Sequence, residues 1–444
     1  MLDQALPDES AKYRVAWRGG SAFMQTRLLG FLVIGLAALA AGCGSSDSGT
    51  VAAPPPQTPP VGLATGPATC IIGLAADFNC SGIDLRRRVA NADMGGGDGN
   101  DIWGWVDPLN GDEYALMGLT TGTAFVNVTD PDNPVVVGTL PTETIATPWR
   151  DIKVYQDHAY VIADRADAHG IQVFDLTRLR GVAPPQVFTA DVVYDGITSA
   201  HNIAINEDSG YLYAVGSNTC AKGLHMVDIR IPDDPTFAGC YSDQHLHDTQ
   251  CVVYQGPDND YLGREICFNS AFTNTADNLP IGTHILGIVD VTDKAAPVTV
   301  FERDYPDAGF AHQGWITDDH RFFLLGDELD ESELGFPTRT LIFDVSDLDA
   351  PVFVSAYQAA TMSIDHNLYV FGNRVYQANY TSGVRVLEFS DLSNSMIDEV
   401  AFFDTFPSGE NAVFDGAWSV YPYLPSGNII ASDISNGLFI LTPQ

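Results

Sequence analysis

The chain has 444 residues, of which 57 are Asp or Glu and 21 are Lys or Arg, for a net charge of −36 at pH 7. A surface this acidic repels nucleic acid and anionic lipid, which excludes partners held through phosphate contacts, and it stays soluble in salt. A saline habitat accounts for such a charge; calcium binding is the sharper alternative.

At the N-terminus, Arg27 precedes an apolar run from Leu28 to Ala41 that is too short to span a bilayer comfortably. The run ends Leu39-Ala40-Ala41-Gly42-Cys43. Small residues before a Cys after such a run resemble the bacterial lipoprotein signal, with Leu39 one place early and Ala40 where Leu is commoner. The resemblance implies a signal peptide over residues 1–42, with the leading 23 residues before Met24 read as a start-site artefact, and lipidation of Cys43. The alternative is a plain secretory peptide cut nearby. Gly44 after the Cys, in place of Asp, implies delivery to the outer membrane or cell surface. Residues 43–67 are Gly/Ser-rich and then Pro/Thr-rich, cannot bury a core, and read as a tether.

Residues 68–444 carry a repeat. A short apolar run leads into an acidic or amide residue and then an Asp/Pro turn, as in Leu341-Ile342-Phe343-Asp344-Val345 followed by Asp347 and Pro351. Copies place Asn127, Asp175, Asp228, Asp290, Asp344, Glu388 and Leu441 in one column, at intervals of 44 to 62 residues. A period of about fifty residues signals a propeller or array. Each period holds several short β-rich runs and no long segment of helical periodicity. The predicted fold is therefore all-β, a seven-bladed β-propeller with four-stranded antiparallel blades. The repeat run would be the third strand of each blade. A strand headed by His or Asp opens each period and would be innermost. The last period stops after its third strand, so Ile83–Val89 is expected to supply the fourth and close the ring. Six blades with an irregular end segment is the alternative.

Beyond Cys43, six cysteines remain, an even count that implies disulfides in an exported chain. Cys251 and Cys267 fall on adjacent predicted strands; Cys70–Cys80 and Cys220–Cys240 follow by proximity, with other pairings open. No two cysteines are spaced for a structural zinc site.

The third strands look like the LVIVD repeat. The chain from about residue 70 to its end resembles the choice-of-anchor B family of exported bacterial proteins. The resemblance rests on segments such as Trp149-Arg150-Asp151, His201-Asn202-Ile203, His247-Asp248-Thr249-Gln250-Cys251, His312-Gln313-Gly314-Trp315, Asp365-His366-Asn367-Leu368 and Phe414-Asp415-Gly416-Ala417-Trp418. It implies a propeller, export and a surface anchor, and it carries no activity.

Inner strands of a propeller run side by side, so their heads gather at one channel mouth, and the ends of the second strands return there. The first set is Asp101, Arg150, Asp151, His201, His247, Asp248, His312, Asp365, His366 and Asp415, and the second adds Asp327, Glu328 and Asp433. His201, His247, His312 and His366 are candidate ligands for a transition metal. Asp327, Glu328, Asp330 and Glu331 are candidate oxygen ligands for Ca2+, without EF-hand spacing. Arg150 is placed to pair a ligand carboxylate. The competing reading makes these residues fasteners between blades, and Trp103, Trp105, Trp149, Trp315 and Trp418 inter-blade core. No Gly-x-Ser-x-Gly elbow or P-loop occurs. The expectation is a surface-anchored module that binds a small polar ligand or a protein partner through this mouth, with a metal-dependent hydrolase as the alternative.

Overall fold

The computed structural model describes residues 62–273 and 284–444. The expected signal peptide, Cys43 and most of the tether lie outside the described residues. The compact unit runs from Ala64 to Gln444.

Seven sheets, each built on four antiparallel strands, make up the unit, a seven-bladed β-propeller; Gln186–Val187 adds in parallel to the outer edge of the first. Blade 1 is Gly99–Val106, Glu113–Leu119, Gly122–Asn127 and Val135–Pro141, innermost strand first. Blade 2 begins with Arg150–Tyr155, blade 3 with Asn202–Asn206, blade 4 with Gln244–Val253, blade 5 with Ala311–Ile316, blade 6 with Leu368–Phe371 and blade 7 with Ala417–Tyr421. In every blade the repeat run is the third strand, as its period predicts.

The physical reason for the repeat is local. Asn127, Asp175, Asp228, Asp290 and Asp344 each end a third strand. Their side-chain Oδ1 atoms accept the backbone N–H two residues on, from Thr129, Thr177, Arg230, Thr292 and Ser346, at 2.9–3.1 Å. The acid is thus an Asx-turn that stops the strand. In three blades Asp130, Asp293 and Asp347 repeat the device on Asp132, Ala295 and Asp349 at the way into the fourth strand. Glu388 is too long for this turn and instead pairs with Arg374 across the sheet at 2.9 Å.

Blade 7 is completed by Ile83–Val89, antiparallel to Gly437–Pro443, from Ile83 opposite Pro443 to Val89 opposite Leu438 with a one-residue bulge between Leu85 and Arg87. The Gln444 side chain donates to the Cys70 carbonyl at 3.1 Å, so the C-terminus sits against the start of the domain. Phe78–Ser81 adds to the outer edge of blade 6. Separate apolar clusters lie between neighbouring blades. One joins Leu116 and Phe125 of blade 1 to Ile152 and Phe174 of blade 2; another joins Phe268 and Ile288 of blade 4 to Phe323 and Leu341 of blade 5. No blade buries both faces by itself, and the ring supplies the missing face. The three disulfides are Cys70–Cys80, Cys220–Cys240 and Cys251–Cys267. The last joins residues directly opposite one another in blade 4.

Candidate functional site at the channel mouth

Two consecutive residues at the head of each inner strand have different work, because neighbours in a strand point in different directions. In blades 1, 2, 3, 5 and 6 the second of the pair locks the ring, and in blade 4 Gln250 does so by accepting the Ile316 N–H at 2.7 Å. Asp101 of blade 1 accepts the Ile152 N–H of blade 2 at 3.0 Å, and Asp151 of blade 2 accepts the Ile203 N–H of blade 3 at 2.6 Å. Asn202 donates to the His247 carbonyl at 3.0 Å, Gln313 accepts from Leu368 N–H at 2.8 Å, and Asn367 donates to Ser419 Oγ at 3.2 Å. Lys153 ion-pairs with both Asp101 and Asp151. Burial pushes Asp101 up, to about 8, against the pull of Lys153. Burial also opposes ionisation of Asp151, but Lys153 and the other donors outweigh it and hold this carboxylate low.

The first residue of the pair is His201, His247, His312 and His366 in blades 3 to 6. Successive ring centroids are 4.5, 4.3 and 4.2 Å apart, so the four imidazoles form one arc. The arc ends on Trp418 at 4.7 Å and Tyr380 at 4.8 Å. His247 Nδ1 meets the His312 carbonyl at 2.9 Å, and His366 Nδ1 meets that of Trp418. A carbonyl can only accept, so each of these nitrogens carries a proton. A neutral ring then leaves Nε2 with a lone pair. Burial holds His247 and His312 well below the usual imidazole range and His366 at about 3, so all three are neutral near pH 7.

The second strands return to this mouth as predicted. Asp164 Oδ2 lies 3.0 Å from His201 Nδ1. Glu328 places Oε2 3.8 Å from His312 Nε2 and Oε1 3.9 Å from His366 Nε2, and Tyr380 donates to Oε1 at 2.9 Å. Burial raises the Glu328 carboxyl to about 7, and the Tyr380 bond opposes the shift. Donor atoms about 2.1 Å from a tetrahedral ion stand about 3.4 Å from one another. The His312–Glu328–His366 spacing is therefore close to that of a metal-ligand set, and all three residues are buried.

The remaining predicted residues do not join this cluster. Arg150 is only 2% exposed; it donates to the Leu119 carbonyl at 2.8 Å and meets His169 Nε2 at 3.2 Å, so it serves the junction of blades 1 and 2 rather than a ligand carboxylate. Asp327 accepts the N–H groups of Gly309 and Phe310. Asp433 caps Ser435 and Asn436 at 3.0 and 2.8 Å, and Asp415 accepts from Ser435 Oγ at 2.7 Å. Asp365 meets Asp330 and Glu331.

Asp248 lines a cavity of about 340 Å³ in the channel, together with Lys153, Trp103, Trp315, Tyr369 and Tyr421. Trp103 and Trp315 thus line the cavity while also packing against inter-blade clusters, and Trp105 is fully in such a cluster at 4% exposure. Lys153 Nζ sits 4.6 Å from the Trp103 ring centroid, a cation–π contact inside the channel. Lys153 is the residue that sequence reasoning missed. It stands two places after Asp151 on an inner strand, a same-face spacing that could have pointed to it.

The Arg150 contact makes a pH prediction. An arginine can only donate, so His169 Nε2 accepts from it, while Nδ1 donates to the Gly170 carbonyl at 3.0 Å. Burial, with Arg150 beside it, lowers this histidine to about 4. Between pH 4 and about 6.5 the unfolded chain binds a proton there that the folded chain refuses. Stability from this group is complete above pH 6.5 and is lost as the pH falls towards 4. A His169→Gln variant, compared with wild type by thermal unfolding across pH 4–8, should show a flatter acid limb.

No protein-family model matches the sequence, and no curated protein matches it. Solved structures do. Hydrazine synthase of Kuenenia stuttgartiensis has a TM-score of 0.50 at 14% identity, over 74% of this chain and 92% of that one. The β-propeller domain of Myceliophteria thermophila Cps50 (Swd1) has a TM-score of 0.49 at 10% identity, over 79% and 98%. The periplasmic gluconolactonase of Pseudomonas aeruginosa has a TM-score of 0.46 at 12% identity, over 70% and 86%. At such identities the likeness is one of fold, and the fold to which the chain belongs is the β-propeller.

Proposed function

We propose that this chain is an exported, lipid-anchored propeller of the choice-of-anchor B type that binds a small polar ligand in its channel, through a transition metal held by His312, Glu328 and His366. The observation that carries the reading is the approach of two buried imidazole nitrogens to one buried carboxylate, at 3.8 and 3.9 Å. Mixed nitrogen and oxygen donors suit Zn, Fe, Ni or Cu, and three protein ligands leave a position for the ligand. A separate cavity of about 340 Å³ in the channel, lined by none of these three residues, falls in the size range of small-molecule sites. Its aromatic walls and the Lys153 ammonium suit a polar molecule with an apolar face. Three protein ligands also leave room for a metal-bound water, which favours hydrolysis as the second reading.

Metal analysis of natively purified protein tests the proposal. One equivalent of transition metal is expected, lost in His312→Ala and in His366→Ala, with at least a tenfold weaker zinc affinity in titration. Native protein with no metal, and no uptake of zinc by the folded apoprotein, refutes the metal centre. Turnover of generic ester or phosphoester substrates that disappears with the metal would move the conclusion to the hydrolase.

A further inference from the structure

The acidic run after the second strand of blade 5 is divided. Asp327 caps backbone and Glu328 goes to the histidines. Asp330 and Glu331 lie in the single helical turn Asp330–Glu333 and meet Asp365, next to the inner strand of blade 6. One carboxylate oxygen from each of the three lies within 4.8 Å of the others. Asp330, Glu331 and Asp365 are 0%, 4% and 1% exposed. Both oxygens of Glu331, both of Asp365 and Oδ1 of Asp330 have no partner at hydrogen-bonding geometry. Among the described residues, Arg339 is the cation that meets the cluster. Its Nε pairs with Asp330 Oδ2, while its Nη2 is turned to the Asp307 carbonyl at 3.0 Å.

One guanidinium against three carboxyl groups leaves two of them without a counter-cation in a water-excluded position. Bare buried carboxylates are costly, and native folds pair them or give them a metal. The surroundings are shaped for these groups. Any side chain at Gly326 would collide with Asp365 Oδ2, and one at Gly309 would crowd the Asp330 backbone nitrogen at 2.7 Å.

We propose that Asp330, Glu331 and Asp365 form a calcium site that bridges blades 5 and 6. The donor set is oxygen only, which selects a hard cation over the transition metals suited to the histidine mouth. Calcium accepts bidentate carboxylates and six to eight oxygens, whereas Mg2+ keeps several waters that so enclosed a place does not admit. The site shares no residue with the His312–Glu328–His366 cluster and goes beyond the reading of the mouth.

The test is a calcium titration of the chelator-treated full domain, by calorimetry and by thermal unfolding. One calcium per chain is expected at or below low-millimolar concentration, with a rise in Tm and little response to Mg2+. Glu331→Gln and Asp365→Asn should each abolish the Tm rise. Asp349→Asn, in the exposed Asp258–Asp347–Asp349 group, should leave it intact, as should His312→Ala. A wild-type protein that binds no calcium overturns the site. So does a response that survives both Glu331→Gln and Asp365→Asn, or one that vanishes with Asp349→Asn. Should one variant fail to fold, the other decides: on this proposal a folded Glu331→Gln or Asp365→Asn protein shows no calcium-dependent rise in Tm, and a rise that persists in it argues against the site.

Discussion

Asp151→Ala should be the most damaging single substitution at the blade junctions, lowering the unfolding free energy by about 3–5 kcal/mol. Two losses coincide. The Ile203 N–H of the next inner strand, held at 2.6 Å, is left buried without an acceptor. Lys153, which Asp101 and Asp151 hold charged well above its usual range against the opposing pull of burial, loses its closest carboxylate and keeps Asp101 at 3.3 Å and the Ile152 carbonyl at 3.2 Å, its head still over the Trp103 ring. Chemical denaturation measures the effect directly. Lys153→Met combined with Asp151→Asn should recover part of the loss, because removing a buried pair together is far less harmful than removing one member. A single substitution that costs under about 1 kcal/mol would show that these groups are solvated and that the ring does not depend on them.

Removing the closing strand should have a still larger effect on cooperativity. A chain that starts at Asn91 lacks Ile83–Val89 and exposes the edge of Gly437–Pro443 in blade 7. It also lacks Phe78, which is 0% exposed and packs on Phe403 and Phe439 at 5.4 Å each. Burying a phenylalanine alone contributes about 2–3 kcal/mol, and an unpaired edge invites association. The truncated chain should lose its sharp thermal transition and aggregate on heating. A circular permutant that carries residues 64–89 after Gln444 through a short linker should regain both, since Gln444 already touches Cys70. Unaltered melting of the truncated chain would refute the closure.

The parts of the architecture that could be read from the sequence are those with local causes. Third strands announce themselves because a short apolar run and its Asx-turn acid are contiguous, and the incomplete last period pointed to Ile83–Val89. The gathering of His201, His247, His312 and His366 was legible because strand heads in successive blades are equivalent. The separation of His247 from Asp248, or of Asp365 from His366, was not. Adjacent polar residues look alike in sequence, and only the pleat decides which meets the arc, which lines the cavity and which withdraws between blades. Trp103 and Trp105 make the same point. They lie two apart on one strand and both reach the first inter-blade cluster, but Trp103 also lines the channel cavity.

The pairing of Ile83–Val89 with Gly437–Pro443 sets a timetable for the newborn polypeptide. The stretch that emerges early from the ribosome must wait, without its mate, through the synthesis of some three hundred and fifty residues. At about 5–20 residues per second that delay is tens of seconds. Until then every partial arc of blades has two open flanks, and the circle becomes self-limiting only when the final strand arrives. Ring closure is therefore the last step the order of synthesis allows.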